Sequence, residues 1–288
     1  MFAPSFDYYR AGAVREALAL MQQHPGAKLL AGGHTLIPLL KLRLTGPTAL
    51  IDIGRIPELK GITSSSGTIR IGALTTHAEL AASPALRAEC PMLSEAASQI
   101  GDAQVRNHGT IGGNVAHADP ASDLPTVLVA LDARFNMAGP KGERTVAAGD
   151  FFQGMMTTAI DAGEILTAVE IPSMKPGQGM AYVKFAHPAS RYAVIGAAAV
   201  VTMKNGTCGA AQIAIGGLVP APARLRHVEN AVTGARPSDE MMTKAAAAVV
   251  QHLDGDILGD VFASAEYRKA VAPVYVKRAL AAAVQRAS

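Results

Sequence analysis

The sequence predicts an α+β chain, and three observations support that prediction. Strand-like and helix-like stretches alternate over the opening segment, hairpin signals recur further on, and a tail of strands followed by helices stands apart from the rest. The Pro- and Gly-rich stretch Met174–Gly179 is the best internal boundary, so residues 178–288 are expected to form a separate α+β unit.

Taken in order, Val14–Gln23 reads as a helix with Val14, Ala17, Leu18 and Met21 on one face, ended by Pro25-Gly26. Lys28–Ala31 is a short strand running into a glycine pair. Leu36–Leu42 is an apolar helical turn, and Leu50–Ile53 is a strand. Thr68–Gly72, set off by Ser64-Ser65-Ser66-Gly67, belongs to a hairpin. Helices are expected at Thr76–Ala82, Pro91–Ile100 and Thr126–Leu131, then strands at Arg134–Ala138 and Ile165–Ile171, with a turn at Gly139–Gly142. In the tail, Ala181–Phe185, Ala193–Met203 and Ala210–Gly216 read as strands, the last two joined by an Asn205-Gly206 hairpin turn. Pro237–Leu253 and Pro273–Arg286 read as amphipathic helices.

Composition narrows the classes of function. The chain has 288 residues, 49% of them hydrophobic and 17% charged, which allows ample core and excludes a disordered chain. The net charge of +3 is spread out, with no basic run of the kind that binds nucleic acid. Only Cys90 and Cys208 are present, which rules out a disulfide framework, a Cys-type zinc site or an iron–sulfur cluster within this chain, and a reducing, cytoplasmic setting is expected. No secretory signal is visible at Met1–Arg10, and the longest apolar stretches are too short for a transmembrane segment.

Two glycine-centred runs suggest chemistry: Ala31-Gly32-Gly33-His34-Thr35 and Thr110-Ile111-Gly112-Gly113-Asn114. Glycine lets backbone approach a ligand and turn N–H groups toward it, which holds phosphate without a charged side chain. Neither the P-loop pattern nor G-x-G-x-x-G in a strand-to-helix context occurs. The runs instead offer backbone N–H donors, the Thr35 and Thr110 hydroxyls and the Asn114 amide. One diphosphate-bearing cofactor gripped from two sides is the sharper reading, and a pair of tight turns is the blander one.

The residues around these runs resemble a specific family. Ala31-Gly32-Gly33-His34-Thr35-Leu36-Ile37-Pro38-Leu39-Leu40-Lys41-Leu42-Arg43-Leu44 is similar to the first FAD loop of the flavoprotein (medium) subunits of molybdenum hydroxylases, among them the carbon monoxide dehydrogenase medium subunit and the xanthine dehydrogenase FAD subunit. Thr110–Asn114, followed by Ala118-Asp119-Pro120 and Asp123-Leu124-Pro125, resembles the second loop. Further likenesses are Ile165-Leu166 with Glu170-Ile171-Pro172, Tyr182-x-Lys184-Phe185, Arg191-Tyr192-Ala193 and Ala265-Glu266-Tyr267-Arg268. Together they span the chain in order.

The resemblance implies a PCMH-type (vanillyl-alcohol-oxidase-type) FAD-binding fold over residues 1–177, in subdomains of about 1–55 and 56–177, with a carbon-monoxide-dehydrogenase-flavoprotein-like C-terminal domain over 178–288. It implies that Leu29, Leu30, Ala31, Gly32, Gly33, His34, Thr35 and Leu36 surround the pyrophosphate. Gly101, Thr110, Ile111, Gly112, Gly113 and Asn114 would line the diphosphate and flavin side. Asp123 would hydrogen-bond the cofactor, Leu166 would pack near the adenine, Lys184 would lie near the flavin's polar edge, and Tyr192 would sit against its ring. FAD would be held non-covalently and do the electron transfer itself, with no catalytic side chain. The molybdenum cofactor would sit on a large partner subunit and the two-iron, two-sulfur clusters (2Fe-2S) on a small one, in a dimer of heterotrimers.

The chain departs from the family at His34, where many relatives have Gln, and at Thr35, where many have Ser; Thr keeps the hydroxyl. His108 and His117 bracket the second run near Asp102, Asp119 and Asp123, but their spacing lacks metal-site regularity, and no metal is expected. No G-x-S-x-G elbow supports a hydrolase. The alternatives are a free-standing FAD oxidase or dehydrogenase, with Lys184 and Arg191 as its polar candidates, and a non-catalytic binding scaffold.

Overall fold

The first sheet is parallel and three-stranded: β1 (Asp7–Arg10) and β2 (Lys28–Leu30) flank β3 (Ala49–Asp52). α1 (Val14–Gln23) makes the crossover between β1 and β2, burying Ala17, and α2 (Leu36–Lys41) follows the first glycine pair. The computed structural model from which these elements are taken describes residues 2–251, 253 and 257–287.

β4 (Ile62–Ser65) and β5 (Thr68–Gly72) form the expected hairpin, with Ser66 and Gly67 both at positive φ, the geometry that matches strand twist. Six helices follow: α3 (His77–Ala82), α4 (Pro84–Glu89), α5 (Pro91–Ser98), α6 (Ala103–His108), α7 (Ile111–His117) and α8 (Asp123–Ala130). β6 (Arg134–Gly139) and β7 (Gly142–Ala147) make a second hairpin. Then come α9 (Ala148–Phe151), the small ribbon β8 (Phe152–Gly154) with β9 (Thr157–Thr158), and β10 (Ile165–Pro172). The order β4-β5-β10-β6-β7 gives an antiparallel five-stranded sheet. One face carries Ile69, Ile71, Phe135, Met137, Val169 and Ile171, fully covered by Leu80, Met92, Leu124 and Leu128 from the helices.

The tail is a four-stranded antiparallel sheet, β11 (Gln178–Ala186), β12 (Ala193–Lys204), β13 (Thr207–Gly216) and β14 (Ala223–Arg224), followed by α10 (Arg226–Val232), α11 (Asp239–Ala247) and α12 (Ala265–Arg286). Both faces of this sheet are buried, which explains why β12 reads as an unbroken apolar run. Ala197, Ala199 and Val201 face α10–α12, whereas Ala198 and Val200 join the core around α8. Asn205 and Gly206 form the expected hairpin turn, both at positive φ.

Several elements differ from expectation. The Thr110–Asn114 run is not a loop: Thr110 caps α7, and Gly112 and Gly113 lie in its first turn. The helix expected to begin at Pro273 begins at Ala265, because Ser264 supplies the N-cap by accepting from the Tyr267 N–H. Pro273 is tolerated inside α12 because Ala272, Val276, Ala279, Leu280 and Ala283 are buried against the sheet. Pro237–Leu253 resolves into α11, capped by Ser238, and a 3-10 turn at Ala248–Gln251; His252 lies outside the described residues.

Candidate cofactor site

Four close approaches, all at glycine, shape the site, and the one at Gly32 brings the first glycine run against the residues just before the second. A Cβ on Gly32 would lie 1.9 Å from the carbonyl oxygen of His108, and one on Gly109 would lie 2.8 Å from the His77 ring. Gly112 rests on Ala73, where a Cβ would come within 2.6 Å of that residue's own Cβ. Gly101 turns with φ +45° directly over Val105. The first loop and α6–α7 therefore touch backbone to backbone, and only glycine permits it.

Between them opens a cleft of about 560 Å³, within the usual range of about 300–1,000 Å³ for ligand sites. Its first wall is Leu29, Ala31, Gly32, Gly33, His34, Thr35 and Leu36. Its second is Gly101, Thr110, Gly112, Gly113 and Asn114, and Asp123, Leu166 and Tyr192 also line it. Of the residues expected here, Leu30, Ile111 and Lys184 do not line it. Leu30 tucks its side chain beneath Gly33, Ile111 is wholly buried in the helix–sheet core, and Lys184 lies one layer below the surface of the cleft.

The two walls differ in hydrogen bonding, which revises the expectation that both glycine runs offer free N–H groups. In α7 the donors are already used. Ile111 N donates to Thr75 O at 2.9 Å, Gly112 N to Ala73 O at 2.8 Å, Gly113 N to the Thr110 hydroxyl at 3.1 Å and Asn114 N to Thr110 O at 3.0 Å. In the first loop, no protein acceptor among the described residues takes the N–H of Gly32, Gly33, His34 or Thr35. The donors of α7's first turn are thus spent, whereas those of Gly32–Thr35, and on the second wall those of Gly101 and Thr110, meet no protein acceptor among the described residues.

His77 is the main cleft residue the sequence did not single out. The Thr76–Thr110 bridge and the bond from His77 N to Gly109 O at 3.0 Å bring the start of α3 against the segment joining α6 to α7. Burial, helped by His34 and Arg106, pulls the imidazole down to about 4, so His77 is neutral at pH 7, and its Nδ1 is buried without a partner. A helix over Thr76–Ala82 is legible in the sequence, but its Thr76-x-x-Glu79 capping box says nothing about which neighbour His77 meets. His34 and His108 stack across the walls, ring centroids 5.3 Å apart and planes 15° off parallel.

Asp123 is buried and accepts from the Tyr182 hydroxyl at 2.6 Å and from Lys184 Nζ at 3.0 Å. Burial pushes the Asp123 carboxyl up, against the pull of Lys184 and Tyr182. Tyr192 is 44% exposed; partial burial, then Asp119 and Asp123, push its phenol up. Lys184, a candidate base for a free-standing oxidase, is committed to acceptors beneath the cleft: Asp123, Gln99 O at 3.1 Å and Arg191 O at 2.7 Å.

Residues 4–174 match the FAD-binding domain of molybdopterin dehydrogenases, and residues 180–283 match the C-terminal domain of the carbon monoxide dehydrogenase flavoprotein. The chain belongs to this flavoprotein family. It is 40% identical to the carbon monoxide dehydrogenase medium chain of Hydrogenophaga pseudoflava, over 99% of each chain. It is also 40% identical to the 6-hydroxypseudooxynicotine dehydrogenase complex subunit alpha of Paenarthrobacter nicotinovorans, over 100% of this chain and 97% of that one. A solved structure of the Hydrogenophaga pseudoflava carbon monoxide dehydrogenase superposes with a TM-score of 0.96 at 40% identity, covering 100% of both chains. As a family member, the chain is an FAD-binding subunit of an oxidoreductase of the molybdenum hydroxylase type.

The cleft fits the family's cofactor on its own chemistry. Unengaged N–H groups suit a diphosphate. The Asn114 Oδ1 and His77 Nδ1, both buried and unpartnered, suit polar atoms of a bound heterocycle or sugar. Among the described residues, no helix is long and apolar enough to cross a membrane, and no group of three or more His, Cys, Asp or Glu could hold a metal ion.

Proposed function

We propose that this chain holds FAD non-covalently in the cleft and passes electrons from the iron–sulfur clusters of a small subunit to an external acceptor, as the medium subunit of a molybdenum hydroxylase. The observation that carries this reading is the run of unengaged N–H groups at Gly32–Thr35, facing a second wall already shaped by Gly109, Gly112 and Gly113. When bound, FAD supplies the exchange between one-electron donors and a two-electron acceptor. The protein's part is to bind and orient: the first loop cradles the diphosphate, Asn114, His77 and Asp123 offer polar contacts, Leu166 packs an apolar surface, and Tyr192 covers a flat ring. Lys184 belongs to the layer behind. The FAD-binding domain is residues 1–177 and the C-terminal domain 178–288. Substrate oxidation belongs to a large molybdenum subunit, and the assembly is a cytoplasmic dimer of heterotrimers.

The test is an absorption spectrum of the purified full chain, mass analysis of the released cofactor, and identification of copurifying chains. FAD together with a large molybdenum protein and a small iron–sulfur protein is the expected result. A colourless chain, or a flavoprotein that oxidises a substrate unaided, would overturn the proposal.

A further inference from the structure

We infer that Lys184 is a positioning residue for Tyr192, acting on the cleft through the backbone of the 187–192 loop; this rests on the cleft being the FAD site. Alternation along β11 puts Tyr182 and Lys184 on one face, under the start of α8. The Lys184 ammonium is only 1% exposed and joins three segments at the cleft. It donates to Gln99 O beside the Ile100–Gly101 turn, to Asp123 at the head of α8, and to Arg191 O in the loop.

The Arg191 bond is the shortest of the three, at 2.7 Å, and the loop is built around it. His187 N donates to Tyr192 O and Arg191 N donates to His187 O, each at 2.8 Å, closing a tight reversal. Arg191 takes the left-handed conformation, φ +61°, which a side chain bearing a Cβ adopts at a cost. The charge-assisted bond to its carbonyl offsets that cost and turns the carbonyl inward. Ala193 N then docks on Ala121 O at 3.0 Å. Held between those two fixed points, Tyr192 lines the cleft. Without the ammonium, the Asp123 carboxyl, already pushed up by burial, takes a proton, so loss of Lys184 is survivable for the fold.

The test uses the full-length chain loaded with FAD as wild type, Lys184→Met, Tyr192→Ala and the double variant, reading bound-flavin fluorescence. A tyrosine stacked on the ring quenches it, so Lys184→Met is expected to brighten the flavin by about threefold or more, with the double variant no brighter than Tyr192→Ala alone. Unchanged fluorescence in Lys184→Met, or effects that multiply in the double variant, would overturn the assignment. A direct charge effect of Lys184 on the flavin gives the multiplying outcome. A second readout needs no cofactor: trypsin cleavage after Arg191, which is exposed. The wild-type bond is expected to resist, and Lys184→Met to be nicked there about tenfold faster. Rapid nicking of the wild type sinks the inference without any variant. A wild type that binds no FAD would instead sink the reading of the cleft, leaving the tryptic comparison to decide this inference.

Discussion

Replacing Gly32 by alanine tests the meeting of the two walls. The new Cβ would lie 1.9 Å from the His108 carbonyl oxygen and 2.7 Å from its carbon. Ordinary contact begins near 3.4 Å, so the loop must retreat by roughly 1.5 Å, because the obstacle is backbone and cannot swing aside. A retreat of that size takes N–H groups placed about 2.9 Å from a phosphate oxygen beyond hydrogen-bond reach. Losing two such charge-assisted bonds at about 1.5 kcal/mol each weakens FAD binding by about 3 kcal/mol, or roughly 150-fold. The assay is titration of the FAD-free chain with FAD, followed by flavin fluorescence, with circular dichroism as a check on folding. Gly149→Ala, at a position where a Cβ meets nothing within 4 Å, is the matched control and should bind as wild type. A folded Gly32→Ala chain that binds FAD within about fivefold of wild type would refute the reasoning, since it would show the free N–H run is not the cradle.

Gly113→Asp adds a carboxylate where the only near neighbour is the Thr110 hydroxyl, at 3.0 Å, so the fold should survive while FAD retention is abolished; a flavin-loaded variant on gel filtration would contradict the placement of α7. His77 titrates near 6.5 when unfolded and near 4 when folded, so the unfolded chain binds more protons between those values. Its contribution, about 3 kcal/mol, is therefore complete above pH 6.5 and lost as pH falls toward 4. Urea unfolding of wild type and His77→Asn at pH 5 and 7 should show a smaller pH dependence in the variant. Arg268 is buried and donates to Val194 O, Gly217 O and Ala263 O while pairing with Asp260. Arg268→Met strands these acceptors and should cost about 3–5 kcal/mol, read as a lower urea midpoint at unchanged slope.

Much of the fold was legible because local signals and tertiary context agree. Ser66-Gly67 and Asn205-Gly206 form turns where their residue types require them, and the apolar run of β12 is buried on both faces. Residues of both glycine runs line the cleft, but the second forms the start of a helix where its sequence suggests a loop. Gly-Gly argues against helix by propensity, and the Thr110 cap with the packing of Gly112 on Ala73 outweighs it. The same event consumed the N–H donors that sequence alone leaves free. His77 was invisible for another reason: its place depends on a bridge between Thr76 and Thr110, a long-range contact that no local pattern encodes. Lys184 resembles a ligand-facing cation in sequence, yet burial and nearby carbonyls turn it inward.

The asymmetry between the walls bears on how the subunit matures. The α7 wall closes its own hydrogen bonds, on Ala73, Thr75 and Thr110, with no cofactor present. The Gly32–Thr35 turn lines the cleft, and its donors meet no protein acceptor among the described residues. A bound diphosphate would therefore engage the Gly32–Thr35 turn rather than the first turn of α7, and loading should rigidify the small N-terminal sheet more than α7. In hydrogen exchange, that difference would be a protection gained at Gly32–Thr35 and not in the first turn of α7.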